Sequence, residues 1–120
     1  MSKRTLVIGA SENPARYSNK AILALRRNNH EVVALAKRNG QVDDVAIETT
    51  FPEKDEIHTV TLYVGPQHQP GYYSDIIKLK PQRVIFNPGT ENPEFAEKLE
   101  ANGIEAEKAC TLVLLSIGNY

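Results

Sequence analysis

With 120 residues, 41% of them hydrophobic, the chain can build one domain with a real core but not two, and a disordered chain is excluded. A net charge of −1 and a pI near 6.3 exclude a broad electrostatic grip on nucleic acid, which needs a basic face. One cysteine, Cys110, excludes an internal disulfide framework, and no run approaches the roughly 18 apolar residues of a membrane span, so a cytoplasmic protein is expected.

The start, MSKRTLVIGAS, is basic and then apolar, as in a secretory leader. Its apolar part runs only about six residues, too few for one. Arg4–Ala10 is instead β-branched and apolar on both faces, the mark of a buried parallel strand. Turn formers fill Ser11–Ser18. Asn19–Asn29 places Ala21, Ile22 and Leu25 near helical spacing, with Ser18 as the expected N-cap and Asn28-Asn29 as the end. Glu31–Ala36 (EVVALA) is the next strand, so this opening predicts a right-handed βαβ unit.

Lys37–Asp44 reads as a loop around Asn39-Gly40, and Val45–Thr50 as a short strand stopped by Phe51-Pro52. Glu53, Asp55 and Glu56 read as a solvated turn. His58–Gly65 (HTVTLYVG) is a strand, Pro66 opens a loop, and Tyr72–Leu79 predicts a helix closed off by Pro81. Arg83–Asn87 (RVIFN) is a further strand. Asn92 then caps a helix with Pro93 in its first turn, running to Asn102 and stopped by Gly103. Ile104–Glu107 is a last short strand. ACTLVLLSIGNY closes as one or two helical turns, with Leu112–Leu115 packed on the sheet edge; a weak homodimer face there is the lesser alternative.

This alternation predicts an α/β domain over residues 1–120: a Rossmann-like, doubly wound, mainly parallel sheet of five to six strands with helices on both faces. Such sheets bind ligands beyond the carboxyl ends of the strands, where strand order reverses. The loops that follow strands are Gly9–Ser18, Lys37–Gly40, Gly65–Gly71 and Asn87–Asn92.

The first of these, Gly9-Ala10-Ser11-Glu12-Asn13-Pro14, resembles a dinucleotide fingerprint that keeps only its first glycine. Ser11 stands at the second glycine and Pro14 at the third. Small residues still allow close approach of phosphate, and a helix N-terminus favours an anion. Arg16 and Lys20 add charge. GxxxxGK[ST] is absent, so this is not a P-loop. After the second strand, where an NAD site carries an acid, the chain has Lys37-Arg38. Two cations suit a phosphorylated ribose: the 2′-phosphate of NADP or the 3′-phosphate of coenzyme A. The plain alternatives are an ordinary βα connection and a solvated basic pair.

Taken together, VIGASENPARYSNKA, VVALAKR, LYVGPQH and VIFNPGTEN, with KACTLVLL more loosely, resemble the small single-domain CoA-binding proteins of bacteria and archaea. Their fold is similar to the CoA-binding domain of the succinyl-CoA synthetase alpha subunit. The resemblance implies coenzyme A or an acyl-CoA as ligand. It places Gly9, Ala10, Ser11, Asn13 and Pro14 against the pyrophosphate, with Arg16, Ser18 and Lys20 at the edge. It sets Lys37 and Arg38 facing the phosphorylated ribose, Gly65 and Pro66 walling the adenine or pantetheine, and Asn87, Pro88 and Gly89 lining the pantetheine path.

Residues suited to catalysis are few. His30 is expected to cap a helix end or face water, His58 opens a strand, and His68 and Cys110 approach the site with a plain loop and a small buried hydrophobe as their ordinary readings. Tyr17, Tyr63, Tyr72 and Tyr73 could stack on adenine; Tyr63 is expected in the core, and one of Tyr72 and Tyr73 inward. No catalytic residue and no metal set can be argued. The expected function is therefore a binding module without catalysis, whose partner is a small nucleotide ligand rather than nucleic acid or membrane. The rival readings are a small NADP-dependent oxidoreductase and a regulatory protein with a decayed nucleotide site.

Overall fold

A computed structural model of the chain describes residues 2–52 and 56–120. Among these, seven strands form one sheet: β1 (Thr5–Ile8), β2 (Val32–Leu35), β3 (Gly40–Val42), β4 (Val45–Glu48), β5 (Thr59–Leu62), β6 (Arg83–Phe86) and β7 (Glu105–Lys108). The helices are α1 (Tyr17–Arg27), α2 (Tyr73–Leu79), α3 (Pro93–Ala101) and α4 (Thr111–Ser116), with single 3-10 turns at Pro66–His68 and Pro70–Tyr72.

The order across the sheet is β3-β4-β2-β1-β5-β6-β7. All neighbours pair in parallel except β3, which runs antiparallel to β4. The chain starts in the centre, builds outward through β2 and β4, and returns to the other side of β1 with β5. Strand order therefore reverses between β1 and β5, the place where doubly wound sheets bind ligands.

The pleat sorts the core into two layers. Leu6, Ile8, Val60, Leu62, Val84 and Phe86 point to one face, under Ile76 of α2 and Phe95 and Leu99 of α3. Val7, Ala34 and Ile85 point to the other, under Ile22 and Leu25 of α1 and Leu115 of α4. Strands β1, β5 and β6 are buried throughout, whereas β7 (EAEK) is a charged edge, a composition that discourages pairing with another chain.

The amino ends of the strands are closed by polar anchors. Arg83, only 8% exposed, donates from Nε to Thr59 Oγ1 at 2.9 Å, pairs with Glu107 at 3.3 Å and lies over the Tyr120 ring at 4.4 Å. The Tyr120 hydroxyl bonds Thr5 Oγ1 at 2.6 Å.

The structure departs from the sequence expectations in several places. The sheet has seven strands, because Gly40–Val42, read as part of a loop, pairs with β4 through the two-residue turn Asp43-Asp44. Helix α1 begins at Tyr17, and its N-cap is Arg16; Ser18 is buried inside the first turn and does not cap. Helix α4 lies beside α1 on a sheet face rather than on the edge, because Leu115 reaches the core that α1 covers. His30 does not cap with its side chain: its ring is half-buried, and its Nδ1 accepts the Lys3 amide at 2.9 Å. Tyr72 and Tyr73 are both half-buried, Tyr73 stacking on Phe95 at 4.3 Å. The turn expected at Glu53 and Asp55 lies outside the described residues, and Glu56 is exposed.

Candidate functional site

Strand β1 ends at Ile8, and Gly9, at φ +93°, turns the chain between the ends of β2 and β5. The Gly9 and Ala10 amides donate to the Leu35 carbonyl at 2.9 and 3.1 Å, while the Tyr63 amide donates to Ile8 at 2.9 Å. The loop beyond is laced internally. Ser11 Oγ accepts the Asn13 amide at 3.0 Å, Asn13 Oδ1 accepts the Ala15 amide at 3.0 Å, and Asn19 Nδ2 donates to the Ser11 carbonyl at 2.9 Å. These bonds use the loop's polar side chains on the loop itself and fix its shape.

Helix α1 then starts without a side-chain cap and with no acid in its first turn. Its first N–H groups have no acceptor within the helix, and they carry the positive end of the dipole. Helix α3, at the same end of the sheet, is closed: Asn92 Oδ1 accepts the Phe95 amide at 3.1 Å, and Glu94 sits in the first turn.

Three clefts run in series along the carboxyl ends of the strands. The central one, about 650 Å³, lies over the β1–β5 reversal and is lined by Gly9, Ala10, Ser11, Ala15–Ser18, Tyr63, Gly65 and Pro88–Thr90. A second, about 390 Å³, shares Ala10 and Ser11 with it and extends over Asn13, Ala36, Lys37, Arg38 and Asn39. A third, about 260 Å³, shares Tyr17, Tyr63 and Pro88 with the first and ends at Asn87, Cys110 and Leu112.

The candidate residues thus gather around these spaces with few exceptions. Gly9, Ala10, Ser11, Arg16, Ser18, Gly65, Pro88 and Gly89 line the central cleft. Asn13, Lys37 and Arg38 line the second, and Asn87 the third. Pro14, Lys20 and Pro66 are exposed and line none of the three, nor does His68.

Lys37 and Arg38 are exposed, and among the described residues neither takes part in an ion pair. Arg26, by contrast, is held by Asp44 through bonds of 3.0 and 2.7 Å. Glu12 lies beside the second cleft, but its Oε2 is engaged by the Gln41 amide at 2.9 Å, which straps the first loop to β3.

Asn87 is only 2% exposed and its amide is fully committed. Nδ2 donates to Thr61 Oγ1 at 2.6 Å and to the Leu62 carbonyl at 2.9 Å, and Oδ1 accepts the Thr111 amide at 2.9 Å. It joins β5 to the start of α4. Burial pushes the Tyr63 phenol up to about 12. Gln69 was not singled out from the sequence, yet it is fully buried and ties the loops after β5 and β6 together. Its place between Pro66 and Pro70 in a loop carries no signal of this.

No group of three or more His, Cys, Asp or Glu that could hold a metal occurs among the described residues. Nor is any helix among them long and apolar enough to cross a membrane.

The profile of the CoA binding domain family matches residues 3–116. The chain belongs to the CoA binding domain family. Membership supports a general capacity for CoA-type nucleotides. A crystal structure of an uncharacterized protein superposes with a TM-score of 0.96 at 43% identity, covering 100% of this chain and 99% of the other. A protein from Thermus thermophilus gives a TM-score of 0.88 at 18% identity, covering 99% and 91%. A conserved hypothetical protein from Pyrococcus furiosus gives 0.78 at 24%, covering 94% and 98%. The latter two show the shared fold alone. No curated protein matches the chain.

Proposed function

We propose that this CoA binding domain holds coenzyme A or an acyl-CoA across the carboxyl ends of its strands and performs no chemistry on it. The observation that carries the reading is the uncapped N-terminus of α1 at the β1–β5 reversal, facing a cleft of about 650 Å³. Backbone amides at such a position favour a pyrophosphate. Gly9, Ala10, Ser11 and Asn13 shape the loop against it, and Arg16 adds charge at its rim. Lys37 and Arg38 face the 3′-phosphate of the ribose, with the adenosine in the adjoining cleft. Gly65, Pro88 and Gly89 flank the pantetheine as it runs toward β6. Asn87 acts by holding β5 and α4 in register, since its amide is already bonded. The domain works in the cytoplasm, and the likeness to the CoA-binding domain of the succinyl-CoA synthetase alpha subunit rests on the same loop motifs.

One observation also suits NADP: the free Lys37-Arg38 pair would meet a 2′-phosphate equally well. The third cleft, apolar and placed beyond β6, suits the thiol end of a pantetheine better than a charged nicotinamide. Thermal-shift measurements with CoA, acetyl-CoA, NADPH, NADH and ATP decide between them. CoA and acetyl-CoA raise Tm on this reading; a shift with NADPH and none with CoA would reverse it.

A further inference from the structure

The third cleft extends this surface past the point where the thiol of coenzyme A arrives. It is about 260 Å³ and opens from the central cleft past Tyr17, Tyr63 and Pro88. Its inner wall is made by Asn87, Cys110 and Leu112. No cation lines it. The polar groups behind the wall are turned toward one another: the Asn87 amide is spent on Thr61, Leu62 and Thr111, and Thr61 Oγ1 bonds Thr111 Oγ1 at 2.8 Å. The Tyr63 hydroxyl is buried behind the wall and, among the described residues, has no hydrogen-bond partner. What the space offers an occupant is therefore aromatic ring, pyrrolidine, sulfur and leucine side chain.

Resting on the coenzyme A reading above, we infer that this cleft is an acyl pocket, and that the ligand class is a thioester of a short, uncharged aliphatic acid. Its order along the sheet is the reason for the acyl end. The phosphate-favouring cleft over β2 and the amides of α1 come first, and the apolar cleft by β6 and β7 comes last. An elongated nucleotide laid along that series brings its sulfur to the junction at Tyr17 and Pro88, and the acyl chain runs on toward Cys110 and Leu112. The size sets the chain length: an apolar cavity of about 150 Å³ takes up benzene, so this one holds about four to six carbons beside the sulfur. The lining also sets a discrimination. A dicarboxylic acyl group would bring a second carboxylate into a wall that has no cation and no uncommitted amide, and burying an unpaired charge is strongly unfavourable. Histidines and carboxylates are missing from the lining, so nothing there would activate water against the thioester.

The test is a calorimetric series with CoA, acetyl-, butyryl-, hexanoyl- and succinyl-CoA on the wild-type protein and on Leu112→Glu. Each buried methylene is expected to tighten binding by about two- to fourfold up to about six carbons. Succinyl-CoA should bind at least about tenfold more weakly than butyryl-CoA. In Leu112→Glu the ratio of butyryl-CoA to CoA affinity should fall to near one. Should that variant fail to fold, the wild-type series decides alone. Tight CoA binding with a flat series, or with succinyl-CoA preferred, overturns the acyl pocket and leaves the coenzyme A reading standing. Binding of no member of the series overturns both.

Discussion

A Cβ on Gly9 would stand 2.8 Å from the carbonyl oxygen of Tyr63. Gly9 also sits at φ +93°, where side chains are strained. The glycine at the head of the first loop is thus required by the approach of two strand ends at the β1–β5 reversal, before any ligand is considered. The obstructing atom is backbone and cannot swing aside. Gly9→Ala is expected to destabilise the fold by more than about 2 kcal/mol. Urea denaturation reads this directly, and a loss under about 0.5 kcal/mol, the size of an ordinary surface change, would contradict it.

Gln69 offers a second, purely structural prediction. Its Nε2 donates to the Thr90 carbonyl at 2.7 Å and to the Val64 carbonyl at 3.0 Å, and its Oε1 accepts from Asn92 Nδ2 at 3.0 Å. Gln69→Ala leaves these buried partners unsatisfied and should cost about 2–4 kcal/mol. It should also loosen the loops that flank the central cleft, so ligand affinity falls with stability. Stability equal to wild type would show that water replaces the side chain.

The parts of the fold legible in the sequence were those with long-range apolar pattern. RTLVIGA, HTVTLYVG and RVIFN are buried on both faces, and they became β1, β5 and β6. The Asn92-Pro93 start of α3 was legible because an N-cap is a local device, and the Phe95 amide bonds it as expected. Strand β3 was not legible: its first residue belongs to the turn signal Asn39-Gly40, its last precedes the turn Asp43-Asp44, and only pairing with β4 makes the three residues a strand. Ser18 misled because Asn13 and Ser11 already arrange the turn, so α1 begins a residue before it. The first loop and Lys37-Arg38 could be read because each is contiguous. Tyr17, Tyr63, Asn87 and Cys110 each stand out in the sequence, but their joining into one wall does not, since only the sheet order brings those segments of chain together.

The amino ends of the strands predict a pH dependence. His30 is held below the usual histidine value by burial and then by Lys3; His58 is lowered by burial and then by Arg83 and Lys3. The fold therefore favours the neutral rings, and the unfolded chain takes up protons first as pH drops below about 6.5. Stability is full above that value and is lost as pH falls toward the folded values. Tm should decline between about pH 7 and 5, and His58→Asn should shallow the decline. Identical slopes for wild type and variant would contradict the assignment.

Lys37 carries the nucleotide prediction. An exposed cation facing a ribose phosphate forms a charge-assisted contact, so Lys37→Ala should weaken CoA by about five- to tenfold and leave dephospho-CoA nearly unchanged. If wild-type protein binds dephospho-CoA as tightly as CoA, the phosphate role of Lys37 is wrong.

The most direct test of coenzyme A lying across the strand ends is an amide-resolved NMR titration of the labelled protein with CoA. Shifts should gather at Gly9–Asn13, Arg16–Ser18, Ala36–Arg38, Gly65, Gly89 and Cys110, the residues around the three joined clefts. Shifts confined to Arg4, Glu31, His58, Lys80 and Gln82, around the cleft at the opposite end of the sheet, would contradict it, as would a spectrum that CoA leaves unchanged.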